Sequence, residues 1–196
     1  GLVDRDGLTV LRAPNLHWDG AEPGALLRDF LEERRLPFRI GNDINAAAVT
    51  VVDEARATGE TRPSFVYVTG EVGIGAAIMY AGTHLQGQHG FAGEIGHTCV
   101  DVEGPTCGCG ARGCLETFVG LKAILRDSGA GTLDELRELL SDGDAEALRT
   151  MRLAGSVLGQ AIGSALNVLD VPTVILGGFL GDLAEWVRPT LVEALA

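Results

Sequence analysis

Residues 23–35 place Leu26, Leu27, Phe30 and Leu31 on one face of a 3.6-residue period, which predicts a helix with a one-sided apolar stripe. Ahead of it, residues 3–13 read as an extended segment turning at Asp6 and Gly7. Residues 38–40 predict a short strand that ends at Gly41-Asn42-Asp43, and a small-residue helix follows from about Asn45 to Ala57. Two β-rich runs, residues 64–69 and 75–80, are joined by a glycine-bearing turn over residues 70–73, the pattern of a hairpin. Residues 82–113 carry nine glycines and no apolar period, and a loop that long needs a staple or a function. Then come a helix over residues 132–140, with Thr132 and Glu135 spaced as a capping box, and a long apolar-striped helix over residues 144–169. A strand over residues 173–176 stops at Gly177-Gly178, and a final helical segment is predicted to break near Pro189. The alternation predicts an α/β fold.

Composition adds little to that picture, while charge and cysteine usage add more. The chain has 196 residues, enough to bury a sizeable core in one or two domains. With 15 basic against 27 acidic residues the net charge is −12, which excludes direct nucleic-acid binding by this segment, since phosphates need clustered Lys and Arg. No apolar run reaches the roughly 18 residues of a membrane helix. The opening residue Gly1 and the final residues, which read as an unfinished helix, predict a segment of a longer protein. Four cysteines, Cys99, Cys107, Cys109 and Cys114, fall within sixteen residues. With no export signal at its start, the chain is expected in the reducing cytoplasm, where clustered thiols hold metal.

The metal reading is specific. His97, Cys107, Cys109 and Cys114 supply one imidazole and three thiolates, a closed tetrahedral set for zinc, and the glycines between them let the backbone curl so that the sulfurs converge. The alternative is three buried reduced cysteines beside an unrelated histidine. Cys99 is expected to be a packed strand residue. A closed set implies a structural ion.

The run Gly93-Glu94-Ile95-Gly96-His97, continued by Cys107-x-Cys109-Gly110-x-x-Gly113-Cys114-x-Glu116, resembles the signature of the ROK family of repressors, open reading frames and sugar kinases. Asn42-Asp43-x-Asn45-Ala46-Ala47-Ala48 resembles that family's second signature, in the expected order. The resemblance implies an actin-like, ribonuclease-H-like fold. Residues 1–40 would end the small amino-terminal lobe and residues 41–196 would form the large carboxy-terminal lobe, with a zinc loop over residues 93–116. It also implies a homo-oligomer, and a family first segment with an Asp-x-Gly phosphate loop that this sequence lacks.

Asp43 follows the predicted strand and could project into a cleft as a general base, or Asn42 and Asp43 could only cap the next helix. The resemblance favours a ligand role and implies a sugar site built from Asn42, Asp43, Glu94, His97 and Glu116, with His97 bonding sugar through one nitrogen and zinc through the other. The alternatives are two solvated glutamates, or Glu116 as a cap for the helix after Cys114. Gly73 and Gly75 align with the family's phosphate loop, and Gly177-Gly178 resembles its adenosine-side turn; the alternative is that the two glycines after the strand form only a turn. Glu71 and Val72, however, stand where the kinases present a Gly-Thr-Gly loop, and a carboxylate facing a triphosphate is repulsive. The sequence therefore predicts the sugar-binding effector part of a transcriptional regulator, not an enzyme, with DNA bound only through a domain outside this chain. The other readings are an ATP- and magnesium-dependent sugar kinase with Asp43 as base, and a sugar-binding protein with neither activity.

Overall fold

A computed structural model of the chain describes residues 1–4, 7–13, 16–59 and 63–196. They form two compact units, one of Gly1–Pro63 with Ala77–Gly93, the other of Ser64–Ala76 with Glu94–Ala196.

In the first unit, strands β1 (Leu2–Val3), β2 (Val10–Ala13) and β3 (Trp18–Ala21) make an antiparallel sheet in that order, with Leu2 opposite Arg12 and Arg12 opposite Asp19. Of the predicted turn at Asp6-Gly7, Asp6 lies outside the described residues, while the Gly7 amide donates to the Asp4 carbonyl at 2.9 Å. The predicted helix over residues 23–35 is two helices, α1 (Pro23–Leu26) and α2 (Arg28–Arg34), parted at Leu27. Its apolar face is not buried: Leu26 is 87% exposed and Phe30 51%. Arg34 instead lays its guanidinium over the Phe30 ring, 4.1 Å from the centroid. Residues 38–40 are no strand. Pro37 lacks a donor, and among the described residues this stretch is held by one backbone bond, Ile40 to the Gly7 carbonyl at 2.7 Å. Helix α3 (Asp43–Ala57) begins two residues before its predicted start and buries Ala48 and Val52, one turn apart.

Strands β4 (Phe65–Gly70), β5 (Ile74–Tyr80), β6 (Thr83–His84) and β7 (Val174–Gly177) are hydrogen-bonded in the order β6-β5-β4-β7. β7 is parallel to β4, with Val66 opposite Val174 and Thr69 opposite Gly177. β4 is buried on both faces, as a parallel neighbour requires.

The second unit is organised by α7 (Ala145–Leu169). Against it pack α5 (Leu121–Ser128), α6 (Leu133–Ser141) and α9 (Ala184–Leu195), with short helices α4 (Glu116–Val119) and α8 (Gly178–Asp182). Leu136, Met151, Leu158, Ile162 and Val187 have no exposed surface. Burying each such side chain is worth about 1.5–3 kcal/mol. Asp144 caps α7 through the Glu146 and Ala147 amides. Thr132 caps α6 through the Glu135 amide at 3.2 Å, but Glu135 bonds the Gly131 amide at 2.8 Å, so the reciprocal arm of the box reaches one residue further back. The last helix breaks at Leu183 and runs through Pro189. Val187 and Leu191 are buried there, and their packing offsets the missing proline donor.

Candidate metal and sugar site

The cysteine segment folds into a knuckle closed by backbone bonds. Cys107 donates to the Ala111 carbonyl at 2.8 Å, Gly110 to Cys107 at 3.0 Å, Gly113 to Pro105 at 2.8 Å and Leu115 to Thr98 at 2.8 Å. Gly113 has φ +64°, and a Cβ there would overlap the Asp101 carbonyl, so only glycine lets the chain turn back toward Cys114. Cys99, expected as a packed strand residue, is exposed and makes a single antiparallel bridge with Cys114.

This folding brings the four predicted ligands together. The donor atoms of His97, Cys107, Cys109 and Cys114 all lie within 4.8 Å of one another. A tetrahedral zinc with Zn–S bonds of 2.3 Å has S···S edges of about 3.8 Å. Cys109 Sγ and Cys114 Sγ are 3.7 Å apart, and so are Cys107 Sγ and His97 Nδ1. The set fits a cation of that size. Burial and then the neighbouring sulfurs of Cys109 and Cys107 push the Cys114 thiol up to about 12, whereas the Ala111 backbone and then Cys107 hold the Cys109 thiol below its usual value. Cys114 therefore resists ionising, and a divalent cation would reverse that balance by binding its thiolate directly.

His97 divides its ring between two neighbours. Nδ1 faces Cys107, while Nε2 lies 3.8 Å from Glu94 Oε2, on a half-exposed side. Glu116 opens α4, and its Oε2 accepts from the Ile74 amide at 3.2 Å. It caps no helix by its side chain. Glu94, His97 and Glu116 therefore all belong to the second unit, whereas Asn42 and Asp43 belong to the first. There Asn42 is the N-cap of α3, accepting from the Ile44 amide at 2.8 Å and donating to the Gly1 carbonyl at 3.0 Å. Asp43 is exposed and accepts from the same Ile44 amide at 3.1 Å.

The glycine turns also converge within the second unit. Gly70 bridges Gly178 in parallel register, and the Gly178 position sits against Thr69 Oγ1 and Glu71 Oε1, with φ +55°. Gly177 ends β7, and Gly73 precedes β5, which contains Gly75. The contact between Gly73 and Glu116 was not legible in sequence, because 43 residues separate them and neither has a local partner that points to the other. A Cβ on Gly73 would overlap Glu116 Oε2.

The ROK family sequence model matches residues 1–196. The chain belongs to the ROK family. An N-acetylmannosamine kinase of Yersinia pestis is 33% identical over 190 residues, with 92% of this chain and 62% of that protein covered. A Streptomyces griseus ROK glucokinase, solved with glucose and AMPPNP, superposes with a TM-score of 0.81 at 26% identity, over 100% of this chain and 69% of that one. A ROK transcriptional regulator, homologous to the Escherichia coli MLC protein, superposes with a TM-score of 0.82 at 27% identity, over 100% of this chain and 52% of that one. The chain thus spans under two thirds of the length of the curated relatives it matches.

These matches bear out the family and the actin-like α/β fold, and they correct the predicted activity. The regulator reading, with its expectation that the chain is not an enzyme, gives way to the kinase reading, because the curated relatives are kinases and the superposing structures are mostly ROK sugar kinases. The regulator reading rests on Glu71 and Val72 in the turn over residues 70–73. Val72 is half exposed, and the backbone keeps its bridge from Gly70 to Gly178.

Proposed function

We propose that this chain is part of an ATP-dependent sugar kinase that transfers the γ-phosphoryl group of ATP to a hexose or N-acetylhexosamine hydroxyl. The observation that carries the reading is the kinship to N-acetylmannosamine kinase, supported by a glucokinase neighbour whose structure holds glucose and a nucleotide analogue. Asn42, Asp43, Glu94, His97 and Glu116 bind sugar hydroxyls, and Asp43 accepts the proton of the attacking hydroxyl. Gly73, Gly75, Gly177 and Gly178 leave the backbone open to the nucleotide. Magnesium, when bound with ATP, neutralises charge on the phosphates, which offsets the acidic Glu71 beside the turn.

His97, Cys107, Cys109 and Cys114 hold a structural zinc, which fixes the tautomer and ring orientation of His97. With Nδ1 committed to the metal, Nε2 and the nearby Glu94 carboxylate present a donor and an acceptor to adjacent sugar hydroxyls. In this reading residues 1–40 end the small lobe and residues 41–196 form the large one, in a cytoplasmic homo-oligomer. No helix among the described residues is long and apolar enough to cross a membrane.

The test is ADP release by the full-length protein with MgATP and either N-acetylmannosamine or glucose. Sugar-dependent turnover that falls about 10²-fold or more in Asp43→Asn, with sugar binding kept in calorimetry, is the expected result. Absence of turnover with both sugars, despite tight sugar binding, would overturn the kinase reading.

A further inference from the structure

Glu116 is held from two sides. Its backbone continues the metal knuckle: Leu115 just before it is fully buried and bonds Thr98, and Thr117 just after it donates to the Cys114 carbonyl at 2.9 Å. Its carboxylate reaches across to the turn between β4 and β5, where Oε2 accepts the Ile74 amide at 3.2 Å in the space that the absent Gly73 side chain leaves open. The same turn is closed by the Glu71 amide donating to the Gly73 carbonyl at 3.1 Å, and its other end is bridged from Gly70 to Gly178. A single carboxylate therefore joins the knuckle to the turn that meets Gly178. Oε1 has no hydrogen bond among the described residues.

We propose that Glu116 is a positioning residue that couples sugar binding to nucleotide binding. The inference rests on the kinase reading. A sugar hydroxyl donating to Oε1 restricts the carboxylate to the rotamer in which Oε2 holds Ile74. The turn is then ordered before the nucleotide arrives, and the nucleotide meets a smaller ordering cost. By linkage the effect is reciprocal, so nucleotide strengthens sugar binding by the same factor.

The experiment is calorimetric titration of the full-length protein with magnesium and AMPPNP, with and without saturating N-acetylmannosamine or glucose, and then the reverse titration. The expected coupling is about tenfold in both directions, within the usual range for linked sites. Glu116→Asp, one methylene too short to reach Ile74, brings the ratio close to one. Glu116→Gln, which keeps an acceptor for the amide, retains most of the coupling while sugar affinity falls. A purely structural role for Glu116 would lower both affinities and leave their ratio unchanged. Gly73→Ala, whose methyl displaces the Glu116 carboxylate from Ile74 while the glutamate itself is retained, also removes the coupling; should it fail to fold, the two Glu116 variants decide alone. Sugar and nucleotide that both bind the unaltered protein independently, or full coupling in Glu116→Asp, would overturn the proposal while leaving the kinase reading intact. No nucleotide binding under any condition would overturn both.

Discussion

Helix α7 and the pair α1–α2 carry the same kind of leucine stripe, and only one of the two is buried. Leu158 and Ile162 on α7 have no exposed surface, with α5, α6 and α9 packed around that helix. Leu26 is 87% exposed and Leu27 45%. Periodicity foretells that a segment coils, because the pattern is local. It does not foretell what covers the stripe, because covering depends on partners brought from elsewhere in the chain. Stability in this molecule should accordingly be uneven, concentrated where the stripe has neighbours.

The sharpest way to break that contrast is to attack the cluster of His97, Cys107, Cys109 and Cys114, where the proposed zinc would stand in for apolar packing. Cys114→Ser should take bound zinc from one ion per chain to none, read by atomic absorption, and should expose residues 97–114 to hydrogen exchange. Unchanged metal content would remove the structural-metal reading. Next in size, Leu158→Ala should cost about 2–5 kcal/mol in urea unfolding, because it leaves a cavity at a fully buried position of the core. At the level of a single cap, Asp144→Ala should cost about 1 kcal/mol by releasing two amides at the start of α7. Smallest of all, Leu26→Ala should change stability by no more than about 0.5 kcal/mol. A loss of 2 kcal/mol or more at Leu26 would mean that the α1–α2 stripe is covered after all, and the comparison would fail.

What was legible in the sequence follows the same division between local and distant. The four predicted metal ligands lie within eighteen residues, with glycines between them, so spacing alone implied their convergence. The cap at Thr132 could be read from its own helix. The expected break at Pro189 was misplaced because the buried neighbours Val187 and Leu191 carry the helix past it. The expected strand at residues 38–40 failed because, among the described residues, nothing pairs with it beyond the bond to Gly7. At the site, residue types indicated carboxylates and an imidazole, yet not that Glu116 would be committed to Ile74, 42 residues away. The activity was misjudged from two side chains in one turn, Glu71 and Val72, whereas the curated relatives matched over 92% of the chain are kinases.

The contact between α7 and α9 has a consequence for how this sequence can drift. Gly155 and Gly159 lie one turn apart on α7, and a Cβ at either would run into α9: at Gly155 into Thr190 Oγ1 and the Val187 carbonyl, and at Gly159 within 2.6 Å of Ala194 Cβ and 2.9 Å of the Leu191 carbonyl. Where side chain meets side chain, a gain of volume on one helix can be absorbed by a loss on the other. Here much of the opposing wall is main chain, which no substitution can shrink. Relatives that replace either glycine must therefore move the whole of α9 outward, so the spacing of these two helices should be inherited as a unit and not retuned one residue at a time.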